Sequence, residues 1–167
     1  MNDICEEELL ALMKKISIRL EIQLEQNLRE EDVSGVQVYL LVHILRRHRN
    51  GTYISELCRE EGVSKTTMSL LIKKLREKEY LVFQENEKDD RKKRILPTKK
   101  LLAAAPVFLE RAERMEREIC KTLSKEQRRQ LKVIETEILN QCREMELQRK
   151  KQEVVEYENR FGTVETV

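Results

Sequence analysis

Two helical patterns sharing one turn constrain this chain more than any other feature of it. Ser55-Glu56-Leu57-Cys58-Arg59-Glu60-Glu61 reads as a short helix opened by serine, and Gly62 closes it, because glycine enters the left-handed conformation that ends helices without steric cost. The run VSKTTMSLLIKKLREKEY follows from Val63. Ser64 suits its N-cap, where a hydroxyl can accept a first-turn N–H. Met68, Leu71, Ile72 and Leu75 recur at i, i+3, i+4 and i+7 and form a buried stripe. The opposite face carries Thr66, Ser69, Leu70 and Lys73, flanked by Lys65, Thr67 and Lys74, so small hydroxyls occupy the first turns and lysines the last. A helix in the major groove needs short polar side chains where its N-terminal end approaches base edges, and cations where it crosses phosphates. On this helix alone, an ordinary solvated face accounts for the pattern equally well.

The flanking segments shift that balance. Leu81-Val82-Phe83 and Arg94-Ile95-Leu96 are strand-like and bracket a polar tip over residues 84–93, while a short β-prone Thr52-Tyr53-Ile54 precedes the first helix. Strand, helix, helix, strand, charged tip, strand is the order of a winged helix-turn-helix. Residues 88–94, KDDRKKR, set two acids among five bases in that tip. Asp89 or Asp90 can accept the guanidinium of Arg91 and brace it toward a narrow minor groove, and Lys92 and Lys93 suit phosphates.

Only four glycines, two prolines and 4% aromatic residues interrupt a sequence rich in Leu, Ile, Glu, Lys and Arg, which favours long helices around a thin core. Residues 3–29 repeat Leu9, Leu12, Met13, Ile16, Leu20, Leu24 and Leu28 on one stripe, widened by Ile18 and Ile22. A second helix runs from the N-cap Ser34 to the basic end Arg46-Arg47-His48-Arg49, where Asn50-Gly51 stops it. Further on, Leu101, Ala105, Phe108, Ala112, Met115 and Ile119 form a heptad-like seam that Pro106 interrupts. Ser124 and Gln127 have capping-box spacing, Leu131, Ile134, Ile138 and Met145 continue a stripe, and weak periodicity from Gln148 predicts a frayed tail. These stripes exceed what one thin core can cover, which predicts a homodimer. The expected fold is mainly α with a small β-wing: an N-terminal dimerisation helix (1–33), a winged helix-turn-helix (34–98), C-terminal dimerisation helices (99–147) and the tail (148–167).

Residues 51–98, GTYISELCREEGVSKTTMSLLIKKLREKEYLVFQENEKDDRKKRILPT, taken as a whole, resemble the MarR family of bacterial winged helix-turn-helix regulators, and the resemblance extends over about residues 8–147. It rests on the element order, the Leu-x-x-Lys-x-Tyr-Leu-Val run entering the wing, and Asp89-Asp90-Arg91 seven residues before Thr98. It implies a homodimeric regulator of double-stranded DNA, usually a repressor, often with a small-molecule or oxidant input. Lys65, Thr66, Thr67 and Ser69 fall where the family's recognition helix touches DNA, and Arg91 at its wing arginine. Leu70 stands where many members have arginine, which offers an apolar contact to a thymine methyl instead. Pro97-Thr98-Lys99-Lys100-Leu101 replaces the family's Leu-Thr-x-x-Gly signature.

Other classes fit less well. The net charge is only +2, yet it is +3 over residues 33–50 and +4 over residues 51–100 against −5 over the first 32, which places a polyanion surface in the middle. Nucleophile-and-base spacings and phosphate-cradling glycine loops are missing, so an enzyme is not expected, nor a cofactor. Cys5, Cys58, Cys120 and Cys142 lack metal-ligand spacing, and His43 and His48, five apart, are expected on different sides of a helix, so no metal site is expected. Cys58, Cys120 and Cys142 read as small apolar fillers. Cys5 is the redox candidate, ranked below a small-molecule effector because its neighbours Glu6, Glu7 and Glu8 do not favour a reactive thiolate. An acidic start and the absence of a spanning apolar run predict a cytoplasmic protein without membrane contact. A protein–protein interaction module without DNA binding is the alternative, because alternating charges on the C-terminal helices also suit helix pairing.

Overall fold

The computed structural model describes residues 4–85 and 92–162. Their elements are α1 (Glu6–Leu28), α2 (Gly35–Arg47), α3 (Ile54–Glu61), α4 (Lys65–Glu77), β1 (Leu81–Gln84), β2 (Arg94–Pro97), α5 (Lys99–Cys120) and α6 (Lys125–Phe161). They divide into two units, Met1–Glu118 and Ile119–Val167. No helix among the described residues is long and apolar enough to cross a membrane.

Serine hydroxyls set where three helices begin. Ser34, Ser64 and Ser124 accept the N–H of Gln37 (3.3 Å), Thr67 (3.1 Å) and Gln127 (3.1 Å) respectively. Gln37 and Gln127 reach back to the serine N–H, completing capping boxes on α2 and α6. The core of the first unit then forms from the apolar stripes. Val38, Leu41 and Leu45 of α2, Leu57 of α3, Met68, Ile72 and Leu75 of α4, and Leu101, Ala105 and Phe108 of α5 are buried together. Burying each large side chain contributes about 1.5–3 kcal/mol.

Helices α1 and α2 cross closely at Gly35. A Cβ built there would lie 2.1 Å from the Leu24 carbonyl oxygen and 2.5 Å from Glu25 Cα. The Gly35 N–H donates to Glu25 Oε2 at 2.7 Å, so α1 supplies an acceptor to the first turn of α2. Most of α1's predicted stripe stays open in the single chain: Leu9, Leu12, Ile16 and Leu20 are exposed, and only Leu28 is buried.

Four details of these elements differ from expectation. Thr52-Tyr53-Ile54 is not a strand: Thr52 alone pairs, through an isolated bridge to Ile95. The buried Thr52 hydroxyl donates to Glu56 at 2.7 Å, and α3 opens after Tyr53 rather than at Ser55. Pro106 does not restart α5, which runs unbroken across it. Gln148, where fraying was expected, lies inside α6, which continues to Phe161 over 37 residues, about 55 Å at 1.5 Å per residue.

Strands β1 and β2 pair antiparallel with Leu81 opposite Pro97 and Phe83 opposite Ile95, and Leu81 and Ile95 enter the core. Between α4 and β1, Glu79 adopts a left-handed φ of 61°, which costs a non-glycine residue about 1–2 kcal/mol. The turn is held by bonds from the Glu79 N–H to Arg76 O (2.9 Å) and from the Tyr80 N–H to Leu75 O (2.9 Å). Thr98 donates its N–H to Tyr80 O (3.1 Å) and its hydroxyl to Glu79 O (2.6 Å). Its Oγ1 also accepts the Leu101 N–H at 3.2 Å, so threonine opens α5 despite the replaced signature.

An ion pair joins α2 to α5. Arg46 donates twice to Glu116, at 2.7 and 2.9 Å, and the Tyr39 hydroxyl donates to it at 2.8 Å. Burial, reinforced by the Glu116 charge, pushes the Tyr39 phenol up to about 12. Burial raises the Glu116 carboxyl, but the bonds from Arg46 and Tyr39 together outweigh it and hold the group below its usual range. A depressed folded pKa contributes stability above the unfolded value, about 4.3, and loses it as pH falls through the folded one. Glu116→Gln is therefore expected to cost about 1–2 kcal/mol at neutral pH, allowing for the pair's partial exposure. The deficit should shrink in urea melts run below pH 4; a deficit constant down to pH 3 would refute the assignment.

Candidate nucleic-acid interface

The turn between α3 and α4 aims the second helix outward. Gly62, at φ 69°, donates its N–H to Cys58 O at 2.9 Å and closes α3, and Ser64 opens α4 two residues later. Met68, Ile72 and Leu75 hold α4 to the core, so the opposite side faces outward: Lys65, Thr66, Thr67, Leu70, Lys73 and Lys74 are exposed, and Ser69 is half-buried. Leu70 is 56% exposed, an apolar group left among hydroxyls and cations.

These residues are not equivalent. Thr67 belongs to the cap, because its N–H donates to Ser64 Oγ and its Oγ1 accepts the Ser64 hydroxyl at 2.9 Å. Thr66 has no such local role and is the hydroxyl most available to a base edge. Lys73 lies 4.0 Å from Glu77, an exposed i,i+4 pair that salt or a polyanion readily displaces. Lys65 sits in a groove of about 430 Å³ with Lys92 and Lys93 before β2, Phe83 of β1, and Tyr53, Ile54 and Ser55 at the start of α3. Three cations there meet the positive end of a helix dipole, an arrangement suited to phosphate.

Lys74 departs from that group. It lines a separate groove of about 540 Å³ with Lys78 and Glu77 of the α4 end and Glu25, Asp32 and Ser34 from the α1–α2 junction. Lys78 spans this groove in a 3.2 Å ion pair with Asp32.

Sequence reading missed the groups that hold the wing base. The Arg76 guanidinium lies 3.9 Å from the Phe83 ring centroid and Lys93 Nζ 5.7 Å from it, so one aromatic ring ties α4 to the wing. Arg94 donates to Asn50 O at 2.5 Å. A Cβ on Gly51, at φ 113°, would come within 2.4 Å of Arg94 Nε. The signal for Phe83 was its place as the sole aromatic residue between Tyr80 and Phe108. Asp89, Asp90 and Arg91 lie outside the described residues.

The remaining candidates are scattered. Cys5 is exposed at the start of α1, where its side chain makes no capping bond. Cys58 and Cys120 are half-buried, but Cys142 is exposed on α6 and fills no core. His43 and His48 do not diverge as expected. His48 is the C-cap of α2, with φ −133° and ψ 33°, and leaving the helix brings its ring within 5.6 Å of the His43 ring. Both meet Glu60, whose carboxyl is held below its usual range chiefly by the His43 hydrogen bond, with His48 assisting against burial.

Residues 33–100 match the model of a family described as a winged helix DNA-binding domain. Similar folds occur in a putative MarR family transcriptional regulator from Listeria monocytogenes complexed with a 26mer DNA, 20% identical, with a TM-score of 0.74 over 90% of this chain and 96% of that one. The Staphylococcus aureus MepR–DNA complex is 22% identical, with a TM-score of 0.71 over 79% of this chain and 96% of that one. MarR from Oenococcus oeni is 20% identical, with a TM-score of 0.70 over 79% and 98%. No curated protein sequence matches the chain. With residues 33–100 similar to a winged helix DNA-binding domain, this chain has the fold of the MarR-family transcription regulators.

Proposed function

We propose that the chain regulates transcription by binding a pseudo-palindromic DNA operator as a homodimer, acting as a repressor that a small-molecule signal releases. The observation that carries this reading is the exposed face of α4, with Thr66 toward its N-terminal end and the cationic groove of Lys65, Lys92 and Lys93 beside it. Thr66, Ser69 and Leu70 read base edges in the major groove, and the groove lysines and Lys73 hold phosphates. Arg91 enters the minor groove from the wing tip, braced by Asp89 or Asp90. Lys74 contacts the backbone only where its own groove opens toward it.

The exposed apolar residues of α1, such as Leu12 and Ile16, and of α6, such as Leu131 and Ile134, are the surfaces that a second copy covers. A two-fold dimer then presents two α4 helices about 34 Å apart, one turn of duplex. Two similar proteins carry DNA in their structures, which supports the same use of this fold here.

Fluorescence anisotropy against the DNA upstream of the chain's own gene tests the proposal. Thr66→Ala is expected to weaken specific binding about 5- to 10-fold, near the lower end of a base contact, while leaving binding to unrelated duplex unchanged. Wild-type affinity that is the same at about 50 and about 200 mM salt would sink it.

A further inference from the structure

Away from α4, one group of metal-ligating side chains stands out among the described residues. His43, His48 and Glu60 each offer a ligand atom, all within 4.8 Å of one another. His43 Nε2 lies 2.7 Å and His48 Nε2 2.6 Å from the same oxygen, Glu60 Oε2. Each ring also has a carboxylate behind it: Glu61 Oε1 is 3.3 Å from His43 Nδ1, and Glu56 Oε2 is 3.9 Å from His48 Nδ1. A carboxylate on the far nitrogen of a ligating imidazole raises its basicity as a ligand; Glu61 is near enough to hold the His43 tautomer as well, whereas Glu56, at 3.9 Å, contributes charge alone.

We propose that His43, His48 and Glu60 form a binding site for a first-row divalent cation of the zinc type. The ion takes the two Nε2 lone pairs and a Glu60 oxygen, and the imidazole protons move to Nδ1, facing Glu61 and Glu56. Tetrahedral ligands at about 2.1 Å stand about 3.4 Å apart, so each imidazole nitrogen, now 2.7 or 2.6 Å from the Glu60 oxygen, needs to move away from it by less than about 1 Å. Side-chain exposures of 19% at His43, 10% at His48 and 25% at Glu60 leave the site in contact with solvent, which supplies the fourth ligand. Two imidazoles select zinc, nickel or copper over magnesium and calcium. The ion would join the end of α2 to the last turn of α3, immediately before Gly62. This inference stands independently of DNA binding.

The test is titration of chelator-stripped, refreshed protein with Zn²⁺ against a chromophoric indicator, with Co²⁺ absorption as a second probe. One ion per chain is expected, undisturbed by excess Mg²⁺, with His48→Gln and Glu60→Gln each weakening affinity at least about 10-fold. At about 100 times its dissociation constant, Zn²⁺ should also lower the unfolded fraction of the wild type about 100-fold, an effect lost in Glu60→Gln even if His48→Gln fails to fold. Absence of stoichiometric Zn²⁺ binding at micromolar concentrations would overturn the proposal. So would binding that survives both substitutions and disappears on alkylating the cysteines.

Discussion

Replacing Lys65, Lys92 and Lys93 together by alanine is expected to remove most of the salt dependence of DNA binding. Each phosphate contact contributes about −0.9 to the slope of log affinity against log salt. Three contacts per subunit make six per dimer, so the slope should become shallower by about 5. Over the fourfold rise from about 50 to about 200 mM, that difference amounts to roughly a thousandfold change in relative affinity. The three side chains share one groove at the start of α3, so their loss should act at one stretch of backbone and weaken all duplexes alike. Lys125, Lys132 and Lys150 of α6 offer a control with the same charge change, and replacing them should move the slope by less than about 1. Equal slopes for the two triple variants would mean that bulk charge, and not the groove, attracts the DNA.

Gly35→Ala is expected to be the most damaging single substitution in the fold, at about 3 kcal/mol or more, because the added methyl meets backbone rather than a movable side chain. The atoms in its way are the Leu24 carbonyl group, at 2.1 and 2.3 Å, and Glu25 Cα at 2.5 Å, so α1 must move away from α2. That movement also breaks the 2.7 Å bond from the Gly35 N–H to Glu25, a charged acceptor whose loss adds about 1.5–3 kcal/mol. Gly62→Ala is the informative comparison: nothing lies within 4 Å of its Cβ position, but φ is 69°, so only backbone strain of about 1–2 kcal/mol is expected. Urea midpoints of the two variants should separate clearly. Coincident midpoints would show that the two helices yield at Gly35 without cost.

Features written in local spacing were legible in the sequence. Ser34, Ser64 and Ser124 cap helices because a hydroxyl and an N–H three residues away suffice, and Met68, Ile72 and Leu75 are buried because helical period alone puts them on one side. What failed depended on residues distant in the chain. His43 and His48 were placed apart by helical geometry, but His48 lies past the last helical residue and meets Glu60, twelve positions on. Thr52 looked strand-like, yet only its pair of backbone bonds with Ile95 realises that preference. At the candidate interface, the exposure of Thr66 and Leu70 followed from the stripe opposite them, whereas the assignment of Lys65 and Lys74 to different grooves required the α3 and α1–α2 neighbours to be in place. The length of α6 was hidden because an exposed helix needs no apolar period.

The turn at Glu79 has a mechanical consequence. Main-chain groups of Leu75, Arg76, Glu79 and Tyr80 are bonded to one another or to Thr98, and Lys100 adds a 2.8 Å bond to Lys78 O. The end of α4, the root of the wing and the first turn of α5 are thus meshed like teeth of one gear. Rotating α5 must therefore turn α4 with it or break these bonds.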